Sequence, residues 1–271
     1  MSTDVTKLSS FANVDQSTNP NYFVHYLDTV SSLEAVQAAK RQTYNLLEAC
    51  VGEYILDVGC GIGSDVQALA KIVGNTGLVV GVDFSETMIQ EAQKRNQGLD
   101  LAIKYQQGDV YSLQFPDNTF DACRTDRLFH FLDNPTKALH EMLRVTRPGG
   151  RIVISEPDWE TLVVDHADPI LTHKILNFGN SSCMGRKLPA LFKKAHLQEI
   201  AIIPITIILS DFALADRLFH LLELSKRAVD MKIISTTEVA EWLTNLMRAN
   251  QENLFFCSMT GFIVRGQKSF L

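Results

Sequence analysis

The stretch Ile55-Leu56-Asp57-Val58-Gly59-Cys60-Gly61-Ile62-Gly63 constrains this chain more than any other. Tyr54, Ile55, Leu56 and Val58 are aromatic, β-branched or apolar, which reads as a strand. Three alternating glycines then call for a tight turn. From Ser64 onward Val66, Leu69, Ala70 and Val73 fall at helical spacing. A strand, a glycine turn and a helix start make a place for a polar ligand. The glycines let the backbone come close, and the helix start offers unpaired N–H donors and a partial positive charge.

The rest of the chain alternates in the same way. The aromatic-rich segment 21–27 reads as helical. A helix is expected from Ser31, with a Ser31/Glu34 capping box, to about Cys50. After the glycine turn, 78–83 reads as a strand ending in Asp83, with Ser85 capping the next helix. Strands are expected at 101–106, 120–124 and 151–155, and a helix from Asn134-Pro135 to a stop at Pro148-Gly149-Gly150. Short apolar strands alternating with helices predict right-handed β-α-β units and a parallel sheet covered on both faces. Beyond 158 the alternation is irregular: helices and loops over 158–187, a helix at 189–197, a strand at 199–209, amphipathic helices at 211–230 and 236–250, and a last strand at 254–265. Ser235 and Glu238 form a second capping-box pattern, with Trp242, Leu243 and Leu246 facing inward. The expected organisation is an N-terminal helical segment (1–50), a ligand-binding core (51–157), and a C-terminal part (158–271) that completes the sheet and carries cap insertions at 158–187 and 211–250.

Bulk properties exclude several classes. At 271 residues the chain suits one large domain or a domain with a cap. The net charge of −6 is spread out and no basic run occurs, so a nucleic-acid partner has no electrostatic support. The longest apolar run, 200–209, is broken by Pro204 and too short to span a membrane. The N-terminus lacks a secretory apolar core. Five scattered cysteines (Cys50, Cys60, Cys123, Cys183, Cys257) form no C-x-x-C pair. They fit reduced thiols and a cytoplasmic protein better than a disulfide frame or a zinc site. No metal is expected. His166, Asp168 and His173 match no standard ligand spacing. Asn180-Ser181-Ser182 is a glycosylation sequon without a secretory signal.

The glycine pattern separates two nucleotide-type ligands. In the dinucleotide form, G-x-G-x-x-G/A, the third small residue packs helix on strand. Counting from Gly59, that position is Ser64, and Gly63 comes one residue early. The pattern D-x-G-x-G-x-G instead resembles the first motif of class I S-adenosylmethionine (SAM) methyltransferases. With Gly81-Val82-Asp83-Phe84-Ser85, Asp109 and Leu143-Arg144-Val145-Thr146-Arg147-Pro148-Gly149-Gly150 also present, the first 155 residues are similar to the branch that includes UbiE-type quinone-ring methylases and many natural-product methyltransferases. The resemblance implies a Rossmann-like, doubly wound α/β fold whose seven-stranded sheet is mostly parallel with an antiparallel last strand and helical cap insertions. It implies SAM as cofactor and S-adenosylhomocysteine as product. Asp57, Gly59, Cys60, Gly61 and Gly63 would cradle the methionine part. Asp83 would accept from the ribose hydroxyls, and Phe84 and Met88 would flank the adenine. Gly108, Asp109 and Val110 would lie beside the adenine, and the Arg124 backbone carbonyl near the cofactor's ammonium.

The segment after the fourth strand, Thr125 to Leu132, would face the methyl acceptor. His130 is the candidate base or substrate-orienting group, histidine being the one side chain there whose ordinary pKa lies near neutrality. Arg124 or Arg127 would hold an anionic substrate oxygen or the cofactor's carboxylate. Tyr22, Tyr26, His130, Asp158 and Trp159 are the candidate acceptor contacts, and 22–27, 158–187 and 211–250 would roof an apolar pocket. The expected function is methyl transfer to an oxygen, carbon or nitrogen nucleophile of a small, mostly apolar molecule, quinone-like or natural-product-like. A NAD(P)-dependent oxidoreductase and a non-catalytic SAM-binding regulator stand as alternatives, and monomer and homodimer remain equally open. Asn19-Pro20-Asn21-Tyr22 and Glu156-Pro157-Asp158-Trp159 resemble the (D/N)-P-P-(Y/W) signature of amino-methylating nucleic-acid enzymes. Each lacks the second proline and neither follows the fourth strand.

Overall fold

A computed structural model describes residues 9–177 and 182–270. Met1–Leu8 and the sequon residues Asn180 and Ser181 lie outside them. The chain divides into two compact units, one of 1–156, 187–203 and 263–271, the other of 157–186 and 204–262.

The first unit begins with a 3-10 turn, Ser9–Gln16, and helices α1 (Asn21–Ser31) and α2 (Glu34–Leu47). Strand β1 (Tyr54–Val58), helix α3 (Ser64–Val73), strand β2 (Leu78–Asp83), helix α4 (Glu86–Asn96) and strand β3 (Ile103–Gln107) follow. Strand β4 (Phe120–Asp126), a 3-10 turn at Phe129–Phe131, helix α5 (Pro135–Val145) and strand β5 (Thr146–Pro157) complete the alternation. Strand β1 pairs in parallel with β2 and β4, β2 with β3, and β4 with β5. Helix α7 (Met184–Lys194) carries Pro189 inside it. Strands β7 (Gln198–Leu209) and β8 (Cys257–Gln267) contribute to both units. With β6 being Val163–Val164, the strand order is β3-β2-β1-β4-β5-β8-β6, with β7 also on β8. Strand β6, antiparallel to β8, is an eighth strand too short to carry a periodic signal.

The second unit is mostly helical, with α6 (Pro169–Leu176), α8 (Phe212–Phe219), α9 (Leu221–Asp230) and α10 (Thr236–Gln251). The expected helix over 211–230 is broken at His220, whose φ of 54° is left-handed. Trp242 is fully buried, and its indole N–H donates to the Thr172 hydroxyl at 3.0 Å. The Ser235/Glu238 capping box is formed. Helices α6 and α10 are thus joined through the interior of this unit, and all four helices bury side chains in it. Among the described residues no helix is long and apolar enough to cross a membrane.

Two further local expectations fail. Ser31 does not cap α2, because α1 runs on through it, and α2 starts after the extended Leu33 with no side-chain cap. Pro148-Gly149-Gly150 does not end α5. The helix stops at Val145, and those residues lie within β5, where the register against β4 shifts between Phe120 and Ala122. A proline and two glycines suit an irregular strand start as well as a helix end.

Candidate active site

The site is built at the carboxyl ends of β1, β2 and β4, where a doubly wound sheet binds its ligands. Gly59, Gly61 and Gly63 have φ of 72°, 52° and 82°, a backbone that L side chains strain to adopt. Space on the Cβ side forbids larger residues as well. A Cβ on Gly59 would lie 3.2 Å from Leu128, and one on Gly61 3.2 Å from Leu27. On Gly63 it would run into the Tyr105 ring, at 2.8 and 2.9 Å from two of its carbons. The same ring crosses Gly81, where a Cβ would lie 2.9 Å from Tyr105, Cys60 and Val66. Gly63 and Gly81 therefore make the space in which Tyr105 of β3 lies. Cys60 is buried in the turn, and burial pushes its thiol well up, so it packs and is no nucleophile.

Asp83 ends β2. One carboxylate oxygen accepts from Gly61 N–H at 2.8 Å and the other from Ser85 N–H at 2.9 Å. Each oxygen keeps a second lone pair for a ligand hydroxyl. Burial raises its pKa, against the pull of those two bonds. Ser85 caps α4 by accepting from Met88 N–H, as its sequence position predicts. A residue outside the sequence motifs joins it: Asp15 accepts from the Ser85 hydroxyl at 2.6 Å, Glu86 N–H at 2.8 Å and Thr87 N–H at 3.1 Å. The N-terminal segment is thereby tied to the start of α4.

Met88 is buried with Val14, Phe23, Val24 and Ile62, and Phe11, Tyr22 and Leu27 pack on that cluster. Val110 is buried, Phe84 is exposed, and Asp109 is exposed with one oxygen accepting from Tyr111 N–H at 2.8 Å. Asp109 thus makes a local turn and keeps one oxygen for a ligand. Gly108 N–H donates to the Asp83 carbonyl at 2.9 Å, which fixes this loop beside β2.

Beneath the glycine turn lies a buried charge network. Asp57 and Arg124 are register partners on β1 and β4. The Arg124 guanidinium is wholly buried. It donates to Asp57 at 2.9 Å and to the Thr43 hydroxyl at 3.1 Å, and lies 3.3 Å from Asp65. Lys40 of α2 reaches Asp65 at 2.5 Å and Asp126 at 3.7 Å, Tyr44 donates to Asp65, and Arg127 lies 3.6 Å from Asp126. Three cations thus face three carboxylates, which offsets the cost of burying each. Burial pushes Asp57 up to about 7, with Asp65 adding to the rise and Arg124 and Lys40 opposing it. Asp65 and Asp126 are desolvated as well. Arg124 and Lys40 nevertheless hold Asp65 low, and Arg127, Lys40 and Arg124 hold Asp126 low.

Three buried atoms here have no hydrogen-bond partner: Asp57 Oδ2, Arg124 Nη2 and Thr125 Oγ1. A buried acceptor beside a buried cationic donor matches the ammonium and carboxylate of an amino-acid end such as SAM carries. These residues fit that cofactor. The expectation that Arg124 holds an acceptor's anionic oxygen does not survive, because three carboxylates surround its guanidinium. Arg127, with a left-handed φ of 58°, keeps that role open.

The segment after β4 brings the acceptor-side candidates together. The His130 Nδ1 lies 2.6 Å from Glu156, and its ring is 3.8 Å from that of Phe131. Phe131 stacks on Phe11 at 6.0 Å, and Phe11 meets Tyr26 at 5.5 Å and Phe23 at 4.8 Å. Burial raises the Tyr26 hydroxyl pKa while Arg127 draws it down. Tyr22 packs edge-on to Phe23. Asp158 and Trp159 belong to the other unit. Asp158 is fully buried with both oxygens engaged by Arg186, one at 2.8 Å, so its carboxylate is not available to an acceptor. Trp159 lies edge-on to Phe219 at 6.2 Å. His166 accepts from Asp168 N–H and His173 contacts Asn177, and among the described residues no three His, Cys, Asp or Glu side chains are grouped to hold a metal. Sequence reasoning missed Asp15, Lys40, Thr43, Tyr44, Asp65 and Glu156. A lysine on the apolar stripe of α2 was the one local sign of the network.

Comparison with known proteins fixes the family. Residues 56–154 match a family model described as a methyltransferase domain. A demethylmenaquinone methyltransferase of Bacillus cereus is 30% identical over 200 residues, covering 66% of this chain and 84% of that protein. The chain belongs to the class I SAM-dependent methyltransferases. A transposon TN4556 protein of Streptomyces fradiae, described only as an uncharacterized 37.1 kDa protein, is 34% identical over 252 residues, 90% of this chain and 71% of that one. Among solved structures, the YcgJ protein of Bacillus subtilis has the same fold, with a TM-score of 0.58 at 19% identity over 86% of this chain and 99% of that one. The [4+2]-cyclase SpnF also shares it, with a TM-score of 0.52 at 22% identity over 86% and 82%. For this methyltransferase the NAD(P) oxidoreductase alternative falls, as the failed third glycine position indicated.

Proposed function

We propose that this methyltransferase acts on an oxygen, carbon or nitrogen nucleophile of a small, mostly apolar, ring-bearing molecule, quinone-like or natural-product-like. The observation that carries this reading is the aromatic wall in which Phe11 meets Phe23, Tyr26 and Phe131, with Phe131 lying against the His130 ring. Such a wall favours a planar apolar acceptor. The likeness to a demethylmenaquinone methyltransferase, whose name specifies a quinone substrate, supports it. His130 is the candidate base and Arg127 the candidate holder of an anionic oxygen. Asp57 and the glycine turn, Asp83, Phe84, Met88 and Gly108 to Val110 would bind SAM, whose activated methyl group is what the acceptor receives. Alignment and exclusion of water by the aromatic wall would supply much of the rate.

The test is a labelled-methyl transfer screen over phenols, quinols, amines and fatty acids. Label is expected in a ring-bearing acceptor, and turnover confined to straight-chain acids would refute the assignment. Calorimetry on Asp83→Ala checks the cofactor site. Losing a carboxylate that accepts ligand hydroxyls is expected to cost about 2–3 kcal/mol of SAM affinity without unfolding. Unchanged affinity would remove Asp83 from the site.

A further inference from the structure

Glu156 sits near the end of β5 with its side chain wholly buried. One carboxylate oxygen accepts from Leu128 N–H at 2.7 Å and Phe129 N–H at 2.5 Å. The other accepts from His130 N–H at 3.3 Å and lies 2.6 Å from His130 Nδ1. The three backbone N–H groups facing this carboxylate all donate to it. Opposite the ionised form, which only accepts, Nδ1 carries the ring proton and the lone pair is left on Nε2. Among the described residues Nε2 has no hydrogen-bond partner. The ring is held by Glu156 at Nδ1 and by its contact with the Phe131 ring. The same short segment touches the glycine turn, through Leu128 beside Gly59.

We propose that Glu156 is a positioning residue that fixes His130 as the Nδ1–H tautomer, with Nε2 as the base, and that the acceptor is the hydroxyl of a phenol or enol. The proposal rests on the reading of His130 given above. A neutral amine already presents a lone pair and can shed its proton after methylation. A hydroxyl becomes a strong nucleophile only as its proton leaves, so a fixed base is of use to it. In the step, Nε2 takes the hydroxyl proton while the oxygen pair bonds the methyl carbon. The electron pair of the broken carbon–sulfur bond returns to sulfur and cancels the sulfonium charge. The imidazolium then passes its proton to solvent.

A purely structural Glu156 would only pin the backbone of 128–130, and Glu156→Gln separates the two roles. Its amide oxygen still accepts from Leu128 and Phe129 N–H, whereas its N–H₂, which gives up the long contact with His130 N–H, can only donate to Nδ1 and so puts the ring proton on Nε2. Nitrogen-15 NMR of the imidazole reads the tautomer directly, with no acceptor needed. The wild type is expected to show Nδ1–H and Glu156→Gln to show Nε2–H. A wild-type Nε2–H tautomer overturns the proposal, whether or not the variant folds. With phenols, quinols and amines as acceptors, Glu156→Gln is expected to lower kcat for the phenol by about 100-fold or more, the range of general-base effects, with KM and SAM affinity within about twofold. Wild-type kcat in Glu156→Gln, with His130→Asn inactive, overturns the positioning role alone. Wild-type kcat in His130→Asn means that the base reading itself has failed. Efficient turnover of amines with none of phenols overturns the acceptor class.

Discussion

Gly63→Ala should be one of the most damaging single-methyl changes in the chain. Two costs add. The backbone φ of 82° is left-handed, and holding alanine there costs about 1–2 kcal/mol. The new methyl would also overlap Tyr105, whose ring carbons lie 2.8 and 2.9 Å from its position with the hydroxyl nearer still. Overpacking of this kind costs about 1–3 kcal/mol. The total, about 2–5 kcal/mol, is a large share of the roughly 5–15 kcal/mol that holds a typical domain together. Tm should fall on the order of 10 °C. The two costs separate in a double-mutant cycle with Tyr105→Ala. That change removes the overlap but leaves the φ strain, so the pair should couple favourably by about 1–3 kcal/mol. Urea unfolding of the four proteins measures both, and calorimetry with SAM shows whether the turn still binds. A Gly63→Ala protein within about 0.5 kcal/mol of wild type, or a coupling near zero, would refute the packing of Tyr105 against the turn.

Other expectations follow from the same geometry. Asp15→Ala removes a cap supplied to α4 from a distant segment and should cost about 0.5–2 kcal/mol; unchanged urea stability would show that this contact does not persist in solution. Trp242→Phe removes the indole donor to the buried Thr172 hydroxyl, which still donates to the Asp168 carbonyl, and should cost about 0.5–1.5 kcal/mol, read as an earlier unfolding transition; no shift at all would count against that bond. Asp65 and Asp126 are held below their ordinary value, so the stability they contribute is present above pH ~4 and lost as pH falls. Asp57 acts in the opposite sense: raised to about 7, it costs stability as pH climbs from ~4 through 7, so Asp57→Asn should flatten the decline of Tm on the alkaline side. An ammonium placed against Asp57 would favour its ionised form, so SAM binding at pH ~7 should release a proton; calorimetry in buffers of different ionisation enthalpy should detect it near pH 7 and lose it near pH 9, and no buffer dependence at pH 7 would place the ammonium elsewhere.

Much of the sheet was legible because its signals are local. Strands β1 and β2 and helix α3 are bounded where apolar periodicity and glycine punctuation put them, and the caps at Ser85, Asn134 and Ser235 form as their spacing demands. The boundaries that moved are those where a strong local signal met a competing context. Ser31-x-x-Glu34 is a sound capping box in isolation, but α1 had already claimed Ser31. The periodicity of 211–230 is continuous across His220, and nothing local says that the backbone there turns left-handed. A two-residue strand such as β6 exists only because β8 is there to pair with it.

The site divides along a similar line. Residues that meet a ligand through backbone geometry, Gly59 to Gly63 and Asp83, announce themselves, because the turn needs glycine and the strand end needs an acid. Residues that act through another side chain do not. Asp15 lies 70 residues from Ser85, Thr43 lies 81 from Arg124, and Glu156 lies 26 from His130. Spacings of that kind carry no periodicity to detect. Lys40 shows what a partial clue looks like. It falls at i+4 from Val36 and three residues before Thr43, both buried on α2, where a lysine is costly unless paired. Its partners, Asp65 and Asp126, also look unremarkable alone, one an acid in the first turn of a helix and the other an acid at a strand end. A buried charge can be inferred from one helix, but the acids that neutralise it emerge only when β1, β4 and α3 are brought together.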